Sequence, residues 1–145
     1  MKQIPVQVKY FETGLPQLGY QSEGAAAFDF YTRQNMTLAP RQVTLVPTGV
    51  ALAYPKDYWL LVAARSSLQK LHLQLINGVG VVDADYCGDE DEIRLLIYNF
   101  GEQTVTIKKG ERLAQGILIA RTQAKFTSVG KLDNPNRGGI GSTGK

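Results

Sequence analysis

The chain predicts an all-β fold, a jelly-roll-like barrel or sandwich with at most one short helix and a flexible, glycine-rich C-terminal tail. Three observations carry this. Short apolar runs recur at regular spacing, bounded by Gly, Pro, Asn or Asp. No stretch reads as a long helix, and no internal repeat is present. Beyond residue 132 the composition changes, with Pro135, four glycines and a single bulky apolar residue, Ile140. The expected organisation is a β domain over 1–132 and a tail over 133–145.

Residues 4–10 alternate Ile4, Val6, Val8 and Tyr10 on one side, a period-two strand. Residues 11–23 form a loop with two glycines and a proline, and residues 24–31 pass from small residues into an aromatic strand. Residues 36–53 are rich in β-branched side chains and broken by Pro40, Pro47 and Gly49, which predicts two short strands. Residues 58–63 (Tyr-Trp-Leu-Leu-Val-Ala) read as a buried strand, and residues 65–75 are the one place for a helical turn. A run over 79–82 enters a polar tip and a run over 93–100 leaves it, which reads as a β-hairpin. Further strands are expected over 105–107 and 113–120.

The bulk properties narrow the function. At 145 residues the chain is one ordinary domain, long enough to bury roughly two-thirds of its unfolded surface. The net charge of +3 and pI near 9.0 come from scattered Lys and Arg, with Lys108-Lys109 the longest basic run. That pattern suits a small polyanion and gives no stripe for a nucleic-acid polymer. A single cysteine, Cys87, and a single histidine, His72, leave no disulfide framework, no CxxC site and no multi-histidine zinc site. His72, among Leu71, Leu73 and Leu75, is expected to be a partly buried structural residue. The first residues contain no apolar h-region, and no run approaches a membrane span. A soluble cytoplasmic protein that makes no membrane contact is the expectation.

The chemistry concentrates in a few places. Residues 77–88 bring Asn77, Asp83, Asp85, Tyr86 and three glycines to one tip. That composition suits either a simple turn or a close approach to a partner. Arg65-Ser66-Ser67 follows a strand and offers a guanidinium, two hydroxyls and free amides. It is either an anion site or a serine N-cap beside a surface arginine. Gln115, after Gly110-Glu111-Arg112, is a phosphate or amide contact or simply a strand residue. Asp29 follows Ala25-Ala26-Ala27-Phe28, where a carboxylate must be paired, cap a turn or face a metal-bound water. The tail is either frayed or a lid that closes glycine amides and Arg137 over a phosphate.

Nucleophilic catalysis finds little support. Ser66 and Ser67 lack a G-x-S-x-G elbow, and Cys87 lies among acidic neighbours that disfavour a thiolate. Carboxylates, arginines and glycine-rich loops remain, the inventory for water attack on a phosphoanhydride.

These residues fall in the order and spacing of a known family. Ala26-Ala27-Phe28-Asp29-Phe30, Arg65-Ser66-Ser67-Leu68, the stretch 77–86, Gly110 to Gln115 and the stretch 137–144 resemble the five motifs of the homotrimeric dUTP diphosphatases, over nearly the whole chain. The resemblance implies Mg²⁺-assisted hydrolysis of dUTP to dUMP and pyrophosphate in a homotrimer with shared active sites. Uracil would be held by Asn77 and by backbone groups along Gly80 and Val82, with Tyr86 against the deoxyribose. Asp83 would be the base that activates water. Arg65, Ser66, Ser67 and Gln115 would cradle the phosphates, and Asp29 would reach Mg²⁺ through water. From another subunit, Arg137 would clamp the γ-phosphate and Ile140, Gly141 and Ser142 would cover the substrate.

The chain departs from the pattern in four places. Ile140 replaces an aromatic that stacks on uracil, within a shortened glycine run, and Cys87 follows Tyr86. Ala64 stands for a proline, and the stretch 89–92 (Asp-Glu-Asp-Glu) makes the segment between Gly88 and Ile93 about three residues longer than the family's. This acidic stretch is expected to be a solvated loop. Two alternatives share the fold: a dCTP deaminase-like enzyme using Glu92, and a nucleotide-sensing or protein-binding module.

Overall fold

The structure is a computed structural model describing residues 3–139. Eleven strands follow one another: β1 (Gln7–Tyr10), β2 (Phe28–Tyr31), β3 (Met36–Leu38), β4 (Val43–Pro47), β5 (Val50–Ala53), β6 (Tyr58–Ala64), β7 (Leu73–Leu75), β8 (Val79–Val82), β9 (Arg94–Asn99), β10 (Val105–Ile107) and β11 (Arg112–Ala120). A single 3₁₀ turn, Leu68–Leu71, joins β6 to β7. The strands pair antiparallel throughout. They form a four-stranded sheet (β2-β11-β6-β8), a three-stranded sheet (β4-β9-β7) and the pairs β1-β5 and β10-β3. This is the expected all-β, jelly-roll-like architecture.

One apolar cluster joins the sheets. Phe30, Leu60, Val62 and Leu113 come from the larger sheet, and Val46, Leu73, Leu95 and Ile97 from the smaller. Alternation explains the split: in β9 the sequence Arg-Leu-Leu-Ile-Tyr-Asn buries Leu95, Ile97 and Asn99 and turns Arg94 and Leu96 outward. Gly116 is required by packing. A Cβ there would lie 2.8 Å from the rings of both Phe28 and Phe30, neighbours on β2 whose rings meet edge-on at 5.4 Å.

Three local expectations are corrected, while the helical turn falls inside its expected segment, 65–75. Residues 36–53 hold three strands, not two, because the chain turns twice, at Arg41 (φ 58°) and at Gly49 (φ 75°). The helical segment ends at His72, which takes a left-handed conformation (φ 54°) and releases the chain into β7. His72 is exposed, its ring set edge-on to Phe100 at 5.6 Å. Finally, β8 and β9 do not form a hairpin. β8 pairs with β6 and β9 with β4 and β7, in different sheets. The connection between them is far longer than the two to five residues typical of a hairpin loop.

Regular structure ends at Ala120, and every residue over 121–139 is exposed.

Candidate active site

Two groups of predicted site residues lie along the four-stranded sheet. The first gathers where β2, β11 and β6 run side by side. Asp29 pairs with Gln115 in the β2–β11 ladder, and Gln115 pairs with Ala63 in the β11–β6 ladder. Asp29 is buried, and both carboxylate oxygens meet guanidiniums. Oδ1 lies 3.4 Å from Arg65 Nε, and Oδ2 accepts a 3.0 Å hydrogen bond from Arg112 Nη1. Of the alternatives open for Asp29, pairing is the one observed. A β-bulge between Arg112 and Ala114 shifts the register beside this cluster.

Arg65 leaves β6 directly; its N–H donates to Leu113 O at 3.1 Å, tying the turn to β11. Ser66 and Ser67 follow, both exposed. Ser67 occupies the N-cap of the 3₁₀ turn, yet its hydroxyl makes no capping hydrogen bond. Gln115 Nε2 donates to Ala64 O at 3.2 Å. The assembly is a cationic shelf with hydroxyls beside it, anchored from below by one buried carboxylate.

The second group surrounds a cleft of about 390 Å³ lined by Asn77, Gly80, Val82, Asp83 and Tyr86, with Val62 on its wall and Arg94 among its polar lining residues. Asn77 and Gly78 (φ 70°) turn the chain from β7 into β8. Gly80 permits a close approach of strands, since a Cβ there would lie 3.1 Å from Val62 Cβ. Among the described residues β8 pairs with β6 alone, so its other edge is open. Asp83 and Tyr86 are exposed at the end of β8. Tyr86 N–H donates to Asp83 O at 3.2 Å, and Tyr86 O–H donates to Glu92 O at 3.0 Å. No side-chain hydrogen bond or ion pair joins the two groups among the described residues.

The acidic stretch is not one solvated loop. Asp89 and Glu90 are exposed and lie 3.5 and 3.8 Å from Lys9 Nζ, while Asp91 accepts the Gly88 N–H at 2.7 Å. Glu92 is buried. Its Oε1 accepts the Gly49 N–H at 2.7 Å, and its Oε2 lies 3.3 Å from Arg33 and 3.8 Å from Arg94.

Nothing in the sequence marks Arg112 or Tyr54 for a role, and it marks Glu92 only as the carboxylate of the deaminase alternative. A buried carboxylate at Asp29 signals the need for a cation, but nothing in the sequence says which. Arg137 is exposed in the tail, and Ile140, Gly141 and Ser142 lie outside the described residues.

Among the described residues, no group of three or more His, Cys, Asp and Glu could cage a metal. Asp29 fits a lesser part. A carboxylate offers about four lone-pair sites, so two guanidinium contacts leave room to accept a hydrogen bond from a metal-bound water.

The fold and site define a small antiparallel jelly-roll protein with an anion-receptive shelf and a polar cleft on one sheet. The dUTPase family profile matches residues 15–144. The chain is 41% identical to the deoxyuridine 5'-triphosphate nucleotidohydrolase of Zymomonas mobilis, over 97% of this chain and 98% of that protein. It is 38% identical to the enzyme of the same name from Caldanaerobacter subterraneus, over 90% and 89%. The crystal structure of dUTPase from Streptococcus mutans superposes with a TM-score of 0.74 at 28% identity, covering 82% of this chain and 98% of that one. A Staphylococcus bacteriophage 80alpha dUTPase mutant with dUpNHpp shares the fold, with a TM-score of 0.85 at 21% identity over 97% and 99%. The chain belongs to the dUTPase family.

Proposed function

We propose that this protein hydrolyses dUTP to dUMP and pyrophosphate, with Asp83 as the base. The observation that carries the reading is the convergence of Asn77, Asp83 and Tyr86 on one cleft beside the open edge of β8. Uracil carries one N–H between two carbonyls. An unpaired strand edge offers the complementary N–H and C=O groups, and Asn77 supplies a further amide. Cytosine, with an acceptor and an amine in those places, would leave backbone groups unmatched. Tyr86, held through its hydroxyl by Glu92 O, would lie against the sugar and leave no room for a 2′-hydroxyl.

The phosphates would run to the shelf, where Arg65, Ser66, Ser67 and Gln115 bind them, with Arg112 adding charge. Asp83 would orient a water and take its proton as the oxygen attacks the α-phosphorus. The bond to the bridging oxygen breaks, and pyrophosphate leaves against the arginines. Mg²⁺ bound to the triphosphate would neutralise its charge. Asp29 would accept a hydrogen bond from a water of that ion.

We infer a homotrimer in which Arg137 reaches a neighbour's γ-phosphate and residues 140–142 cover the substrate. Phe126 and Leu132, 92% and 79% exposed, support this, since such residues ask to be buried on another subunit. On this reading residues 133–145 act as the lid. The cytoplasm, where nucleotide pools turn over, is the compartment the reaction implies.

The deaminase alternative loses support because Glu92 is buried in a structural network, its Oε1 accepting the Gly49 N–H and its Oε2 facing Arg33 and Arg94. The decisive experiment is pyrophosphate release with Mg²⁺ from dUTP, dCTP, dTTP and UTP. Release confined to dUTP establishes the reading. Binding of dUTP without release from any of the four would overturn it in favour of a sensor.

A further inference from the structure

We infer that Tyr54 is a positioning residue for Asp83, its hydroxyl fixing the peptide from which the carboxylate projects. The inference rests on the proposed role of Asp83 as base.

Asp83 is exposed, and among the described residues its carboxylate makes no hydrogen bond or ion pair. Its direction is therefore set by its backbone. That backbone is held from below by Tyr54, a core residue just after β5 and 8% exposed. Tyr54 Oη donates to Val82 O at 3.0 Å and lies 3.3 Å from Asp83 O, so one hydroxyl spans two successive carbonyls. Leu60 stands opposite Val82 in the β6–β8 ladder. The hydroxyl thus sits in the last rung of that ladder, where β8 ends and the site loop begins. Asp83 O also accepts the Tyr86 N–H, so the fixed carbonyl anchors the tyrosine of the cleft as well.

Burial pushes the Tyr54 hydroxyl above its ordinary pKa, which keeps it a donor across the neutral range. A phenylalanine would fill the same space but remove the hydroxyl from the Val82 and Asp83 carbonyls. The peptide would then be free to rotate, and Asp83 with it. Small displacements of a general base cost rate more than binding, because the ground-state complex does not depend on its aim.

The test is Tyr54→Phe in the full-length protein, with active sites counted by titration with a non-hydrolysable α,β-imido analogue of dUTP. Ile107→Val, in a strand remote from the cleft, serves as the stability control. The expected result is a turnover number per titrated site lowered about tenfold, with KM and analogue affinity within about twofold of the parent. The control should turn over normally per site. Unchanged turnover per titrated site in Tyr54→Phe overturns the inference and leaves the function intact. Analogue affinity falling in step with turnover also overturns it, since Tyr54 would then be shaping the cleft. Full turnover in Asp83→Asn overturns both the inference and the assignment of the base.

Discussion

The carboxylate of Asp29 is a bracket for Arg112, which it meets at 3.0 Å from across the β2–β11 ladder, and it holds Arg65 at 3.4 Å with its other oxygen. Two cations that would repel each other are thereby kept parallel and ready for a polyanion. Asp29→Asn removes the charge that holds them. A cost of about 1–2 kcal/mol is expected, below the value for a fully buried pair because both arginines keep some solvent. KM for dUTP should rise as the shelf loses order. Thermal unfolding and steady-state kinetics on the same preparation check both parts.

Asp83→Asn keeps the shape of the side chain and loses its basicity. Turnover should fall by about 10²–10⁴, the range for removing a general base. Binding of the imido analogue should persist, measured by calorimetry. Binding lost together with turnover would mean that Asp83 holds substrate and does not activate water.

Tyr86 is expected to discriminate between sugars. Tyr86→Ala should raise kcat/KM for UTP relative to dUTP by about tenfold, close to what one contact's worth of selectivity allows. Competition between the two nucleotides, followed by pyrophosphate release, measures the ratio directly.

Glu92 is expected to matter for stability. Glu92→Ala strands the Gly49 N–H and removes the carboxylate that Arg33 and Arg94 share. A loss of about 2–4 kcal/mol is expected, equivalent to a fall in melting temperature of roughly 5–12 °C for a chain of this size. Glu92→Gln keeps an acceptor for Gly49 and should recover part of it. Equal melting temperatures for Glu92→Ala and the parent would contradict the buried network.

A chain ending at Asp133 removes Arg137 and leaves every strand intact. Its melting temperature should match the parent, while turnover collapses by about 10²-fold or more. Mixing the truncated chain with full-length Asp83→Asn adds a sharper test. If sites are shared between subunits, some activity returns in the mixture and in neither protein alone.

Much of this molecule can be read from sequence, and the failures have a common cause. Period-two alternation announces that a strand exists, as in Val79–Val82, but carries no information about its partner. That is why β8 and β9, neighbours along the chain, read as a hairpin although β8 lies against β6 and β9 against β4 and β7. The motif residues Asp83, Tyr86, Arg65 and Asn77 stand out because polar groups packed between apolar runs need a reason. Tyr54 and Arg112 give no such signal, and Glu92 stands out only as the deaminase alternative's carboxylate, not as a structural anchor. Tyr54 is an aromatic in an apolar run, Glu92 ends an acidic string, and Arg112 meets a carboxylate 83 residues away. Their roles exist only once distant strands are brought together.

The open edge of β8 carries a cost as well as a use. Val79 and Val81 are 47% and 64% exposed on a strand whose outer amides and carbonyls have no neighbouring strand among the described residues. Such an edge is a template on which other chains can pair. On the proposed reading, a base lodged against it would act as a short fifth strand, ending the sheet with a molecule that cannot propagate it. The nucleotide would then guard the protein against its own self-association. Ligand-free preparations should clump sooner on warming than those kept with dUMP, in proportion to how fully the edge is covered.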